Sequence, residues 1–177
     1  MLKLLFKNLI AKTECLKIAD PGARGRSLQI RHLDCGSCNG CDFELAALLN
    51  PVYDIQRYGF DFVASPRHAD ILAVTGIVTR NLAEAARFTF EATPAPRLVV
   101  AIGDCAVDGG VFQTPAPNPA ERSCGENIPE ESTGFAVIGP AAKVLPVDLK
   151  IPGCPPAPED ILKAFLTLKL NSDQKIP

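Results

Sequence analysis

The sequence predicts an α/β protein built on a parallel, doubly wound sheet, and three observations carry that prediction. Short apolar runs alternate with helix-favouring stretches along most of the chain. One run, residues 69–75 (ADILAVT), is almost continuously apolar, as a strand covered on both faces requires. Cysteines follow directly on three of the apolar runs, so parallel strands would deliver them all to one edge of the sheet.

Composition sets the frame for these elements. A chain of 177 residues with 47% hydrophobic content is long enough for one domain with a sizeable core. The boundaries expected are a leader and connector over 1–27, a domain over 28–170 and a tail over 171–177. Seven cysteines are an odd number for a disulfide framework, a chain of this length needs no staples, and no secretory apolar core precedes the domain. A reducing compartment fits better. Residues 1–31 carry seven Lys or Arg against Glu14 and Asp20, which leaves the rest acidic although the net charge is only −2.

Residues 1–12 place Leu2, Leu5, Phe6, Leu9 and Ile10 on one helical face, broken by Lys3, Lys7 and Lys12. Such a segment is too short and too charged to span a bilayer. It suits a membrane surface, a docking helix for a partner or a frayed terminus, and residues 21–26 (PGARGR) then form a basic connector. Residues 28–33 read as the first strand, ending at Asp34-Cys35-Gly36-Ser37-Cys38-Asn39-Gly40-Cys41. A short helix starts at Cys41, with Asp42 in its first turn, 44–49 as its apolar stretch and Asn50-Pro51 as its stop. Its exposed N–H groups would stabilise thiolates or an anionic cluster.

Strands are expected at 57–63, 69–75, 98–102 and 143–150. A helix over 79–92 carries Leu82, Ala86 and Phe90 on one stripe, and a closing amphipathic helix over 158–168 starts with Glu159 and Asp160. Residues 106–133 are rich in Gly, Pro, Asn and Glu and too long for an ordinary connection, so the segment reads as functional or partner-bound.

The thiols carry the chemistry. Three lie within seven residues after the first strand, while Cys105 (IGDCAVDGG) and Cys154 (IPGCPPAP) follow two later ones. Buried free cysteines are ordinary small hydrophobes when taken singly. Structural zinc favours two paired knuckles, and here only the first thiols are paired. A redox dithiol at Cys38 and Cys41 leaves Cys105 and Cys154 without a role. A flavin phosphate loop would put hydroxyls and glycines where the thiols stand. An iron–sulfur site with a Cys-Pro ligand, as at Cys154-Pro155, accounts for the whole set. Cys35 competes with Cys38 on spacing alone. His32 and His68 read as structural histidines.

GSCNGCDFEL, SPRHADILAVTG, IGDCAVDGGVF and PVDLKIPGCPPAP, starting at Gly36, Ser65, Ile102 and Pro146, together resemble the small subunit of membrane-bound, energy-converting [NiFe] hydrogenases of the formate hydrogenlyase type. The superfamily includes the B subunit of respiratory complex I, and the similarity covers 28–168. The resemblance implies a flavodoxin-like fold with one [4Fe–4S] cluster held by Cys38, Cys41, Cys105 and Cys154. The partners it implies are a hydrogenase or complex I-like large subunit where catalysis resides, a ferredoxin-like electron-transfer subunit and membrane subunits, at the cytoplasmic face of the membrane, with no nucleic acid involved. Complex I proteins have adjacent cysteines at the first site. This chain has Cys38-x-x-Cys41, as the hydrogenases do. The other functions implied are a complex I-like quinone oxidoreductase subunit and a subunit of a hydrogenase-related ion pump without nickel. Glu44 falls on an acidic position near the cluster and the subunit interface. Related soluble hydrogenases carry their proton-relay acid one position earlier, and a solvated or capping acid is the alternative reading.

Overall fold

Leu28, Ile30 and their neighbours alternate inward and outward, and the segment forms strand β1 (Leu28–Asp34) of a five-stranded sheet in the computed structural model, which describes residues 27–112 and 136–173. The leader over 1–12, the connector, Cys15, Cys124 and most of the long segment after Ala106 lie outside the described residues. The other strands of this sheet are β2 (Phe60–Phe62), β3 (Ile71–Thr75), β5 (Leu98–Ile102) and β7 (Leu149–Ile151). They lie in the order β2-β1-β3-β5-β7 with every pairing parallel. Counted within this sheet the order is 2-1-3-4-5, the flavodoxin-like doubly wound arrangement.

Helices cover both faces, as the apolar run of β3 requires. On one face Ile30, Ile71, Ala73, Val100 and Ile102 pack against Leu45 of α1 (Gly40–Ala47) and Ile161, Leu162 and Phe165 of α4 (Pro158–Asp173). On the other, Leu72, Val74, Val99 and Ala101 meet Ala83 and Ala86 of α2 (Arg80–Ala92), with Cys35, Ala141 and Leu145. Burial of each large apolar side chain is worth about 1.5–3 kcal/mol, so these two layers carry most of the fold's stability.

Several local expectations shift. The strand expected at 57–63 shrinks to Phe60–Phe62 because Ile55–Tyr58 closes into a 3-10 turn that leads into Gly59, at φ 81°. The strand expected at 143–150 starts later, at Leu149, since Ala141–Lys143 forms another 3-10 turn. Of the stripe expected on α2, Ala86 is buried and Phe90 packs against the same layer, while Leu82 is 37% exposed and Ala83 takes the inward position beside Ala86. The closing helix continues past 168 to Asp173. A two-stranded antiparallel pair, β4 (Val78–Thr79) with β6 (Val137–Gly139), had no clear signal in sequence. After β5 the chain makes the four-residue helix α3 (Asp104–Val107) and a 3-10 turn at Gly110–Phe112, where the sequence suggested only loop.

Candidate metal centre

Parallel pairing puts the carboxyl ends of β1, β5 and β7 on one edge of the sheet, and Cys38 and Cys41, Cys105 and Cys154 follow these three ends. Cys38 and Cys154 are exposed, Cys41 and Cys105 half-buried, and all are free thiols. Their charges act on one another. The Cys41 thiol is pushed up to about 11, first by burial, then by the Asp42 carboxylate, then by Cys105, Cys38 and Cys154. Cys105 is raised by burial, then by Cys154, Cys38 and Asp104, while its own backbone N–H opposes the shift. Four thiols separated by up to 116 positions in sequence (154 − 38) thus share one electrostatic neighbourhood.

Cys35 goes elsewhere. Its side chain is fully buried in the layer beneath α2, and burial followed by Asp34 pushes its thiol up to about 12. None of the other thiols contributes to that shift. The structure therefore separates Cys35 from Cys38, which spacing alone left open.

Close backbone approaches fix the loops. Ser37 and Gly36 donate their amides to Asp34 Oδ1 at 2.7 and 2.8 Å, turning the first cysteine loop back on its strand. Gly103, at φ 88°, lies so near Cys41 that an added Cβ would collide with its Sγ. The Cys105 and Cys154 loops are stitched together where Gly153 N donates to Asp104 Oδ1 at 2.6 Å and Asp104 N donates to the Gly153 carbonyl at 2.9 Å. An aspartate directly before a strand-end cysteine was the one sequence signal for this link.

A second polar group lies behind the first loop. His32 Nε2 is 2.9 Å from Asp42 Oδ1 and 2.8 Å from Thr75 Oγ1, and Thr75 Oγ1 donates to Asp42 Oδ1 at 2.8 Å. Ser37 Oγ donates to Asp42 Oδ2. His68 is exposed in the 3-10 turn Pro66–His68, and Glu44 is half-buried on α1.

The donor set is four soft sulfurs, which suit iron–sulfur clusters and thiophilic ions. Among the described residues, no three His, Cys, Asp or Glu side chains are arranged to hold one metal ion. A four-iron cluster takes one thiolate per iron, so its ligands stand around a body wider than a single ion, and a shared but open rim of thiols fits that group.

Residues 38–168 match the family model described as NADH ubiquinone oxidoreductase, 20 Kd subunit. The chain belongs to this family and is therefore an oxidoreductase-family subunit. It is 44% identical over 139 residues, 78% of this chain and 71% of the relative, to the probable membrane-bound hydrogenase subunit mbhJ of Pyrococcus furiosus. It is 37% identical over 151 residues, 85% of this chain and 52% of the relative, to formate hydrogenlyase subunit 7 of Escherichia coli. Among solved structures, a chain of the membrane-bound sulfane sulfur reductase, an archaeal respiratory membrane complex, superposes with a TM-score of 0.65 at 28% identity, covering 86% of this chain and 74% of that one. No helix among the described residues is long and apolar enough to cross a membrane.

Proposed function

We propose that this chain is the electron-transfer subunit of a membrane-bound hydrogenase-type complex, with one [4Fe–4S] cluster on Cys38, Cys41, Cys105 and Cys154. The observation that carries the reading is the convergence of these four thiols, from three separate strand ends, into one electrostatic neighbourhood on an open rim. When bound, such a cluster accepts and releases one electron at a time. The residues do the rest: the four thiols anchor, the Asp104–Gly153 link holds two loops in register, and the Gly103 approach packs Cys41 inward.

Catalysis belongs to a partner in this reading. Phe43 is 72% exposed two positions after Cys41, and Val111 and Phe112 are 82% and 48% exposed just past Gly110, which abuts Cys105. Apolar side chains beside exposed thiols are what a covering large subunit would bury, excluding water from the cluster. A ferredoxin-like subunit would supply or accept electrons. Membrane subunits would hold the assembly at the cytoplasmic face, with the basic leader over 1–12 toward the membrane and the cluster domain over 28–170.

A second reading is a complex I-like quinone oxidoreductase subunit, which the matched family's own description supports, or a subunit of a hydrogenase-related ion pump without nickel. Anaerobic purification with the native partners tests both. Four irons and four sulfides per chain with a low-temperature EPR signal on reduction are expected for any member of this group, about four being the content of one such cluster. Nickel in the co-purifying large subunit selects the hydrogenase, and its absence selects the second reading. Zinc without labile sulfide would overturn both.

A further inference from the structure

Asp42 is the meeting point of three donors that the ligand assignment does not use. Thr75 has one hydroxyl proton, and it is committed to Asp42 Oδ1 at 2.8 Å. The Thr75 oxygen can then only accept from His32 Nε2, 2.8 Å away, so that nitrogen carries a proton and also faces Asp42 Oδ1 at 2.9 Å. Ser37 Oγ satisfies the other carboxylate oxygen. These four residues come from β1, β3, the first cysteine loop and α1, so the knot ties two neighbouring strands to the segment that presents Cys38 and Cys41. It is well shielded: the His32 and Asp42 side chains are 29% and 19% exposed, and Thr75 is fully buried.

An acid in the first turn of a helix needs no special purpose, since it favours the helix dipole. Its location gives this one a further effect. Asp42 directly follows Cys41 in the first turn of α1, so its carboxylate belongs to the residue next to a candidate ligand. A carboxylate that opposes negative charge at a ligand sulfur also opposes adding an electron to whatever that sulfur holds, and donors around the carboxylate moderate the effect.

We propose that His32 is a positioning residue that sets the reduction potential of the cluster by holding the Asp42 carboxylate and offsetting its charge beside Cys41. The proposal rests on the cluster reading above. His32 itself touches no ligand thiol and acts through Asp42.

The sign follows from charge. Without the His32 donor, more of the Asp42 charge is felt at Cys41, the reduced state becomes less favourable and the midpoint potential falls. Without the Asp42 charge, the midpoint rises.

The test is an EPR-monitored redox titration at fixed pH on the cluster-loaded chain in its complex. His32→Leu is expected to lower the midpoint and Asp42→Asn to raise it. His32→Gln, which keeps an N–H near the Nε2 position, is expected to restore the wild-type value. In the Asp42→Asn background, His32→Leu should produce no further shift. An unchanged midpoint in His32→Leu, or the same shift in both backgrounds, overturns the proposal. So does Asp42→Asn without a rise, a near-isosteric variant that remains informative if His32→Leu fails to load. Wild-type protein lacking iron and sulfide would overturn the cluster reading and this one with it, whereas a loaded wild type with unshifted variants overturns this one alone.

Discussion

Asp104 and Gly153, 49 positions apart in sequence, exchange two hydrogen bonds, 2.6 Å from the Gly153 amide to Asp104 Oδ1 and 2.9 Å from the Asp104 amide to the Gly153 carbonyl. Each residue immediately precedes a candidate ligand, Cys105 or Cys154. The pair therefore continues the β5–β7 ladder beyond the sheet and holds the two single-cysteine loops at one spacing.

Asp104→Ala should loosen that spacing. Leaving the half-buried Gly153 amide without its charged acceptor costs about 1.5–3 kcal/mol, and iron retention should fall. Asp104→Asn keeps an acceptor at the same place and should recover most of both losses. Melting temperature and iron per chain measure the two effects, and equal losses in the two variants would contradict the role given to the hydrogen bond.

Gly103→Ala puts a methyl group into Cys41 Sγ at a backbone φ of 88°. The strain of a side chain in that conformation is of order 1–3 kcal/mol before the collision is counted. Cluster content should drop far more than helicity, because the displaced group is the thiol and not the core. Iron and sulfide assays beside far-UV circular dichroism check this.

Cys154→Ala should abolish the brown chromophore, as should Cys38→Ala, since a four-thiolate site has no spare ligand. Cys35→Val should keep it, because that side chain lies in the apolar layer under α2. Loss of iron in Cys35→Val with retention in Cys38→Ala would reverse the assignment.

Alkaline stability should carry the mark of Cys35. Its folded-state thiol lies at about 12 against an ordinary 9.0, raised first by burial and then by Asp34, so folding favours the protonated form. The contribution is fully present below about pH 9 and is lost as pH rises through 12. Denaturant midpoints measured across that window should decline less steeply in Cys35→Val than in wild type.

Much was legible in the chain itself. The strand over 98–102 and the start of the closing helix at Pro158 were set by local patterns, a bounded apolar run in one case and an acidic first turn in the other. The parallel pairing follows from the alternation of such elements, and the placement of thiols after apolar runs brings them to one edge once pairing is parallel. These are properties of short segments, which a sequence states directly.

Tertiary structure decided the rest, because it depends on what lies across a gap. Cys35 and Cys38 are equivalent by spacing, but β1 continues through Asp34 and turns there on the Asp34 carboxylate, so that Cys35 enters the core while Cys38 reaches the rim. The apolar run at 143–150 yields a strand only from Leu149, where pairing with β5 is available. His32 and Asp42 looked like a structural histidine and a helix-start acid. Only the stacking of α1 against β1 and β3 brings them to 2.9 Å, since hydrogen bonds between elements are set by packing geometry and leave no periodic trace in sequence.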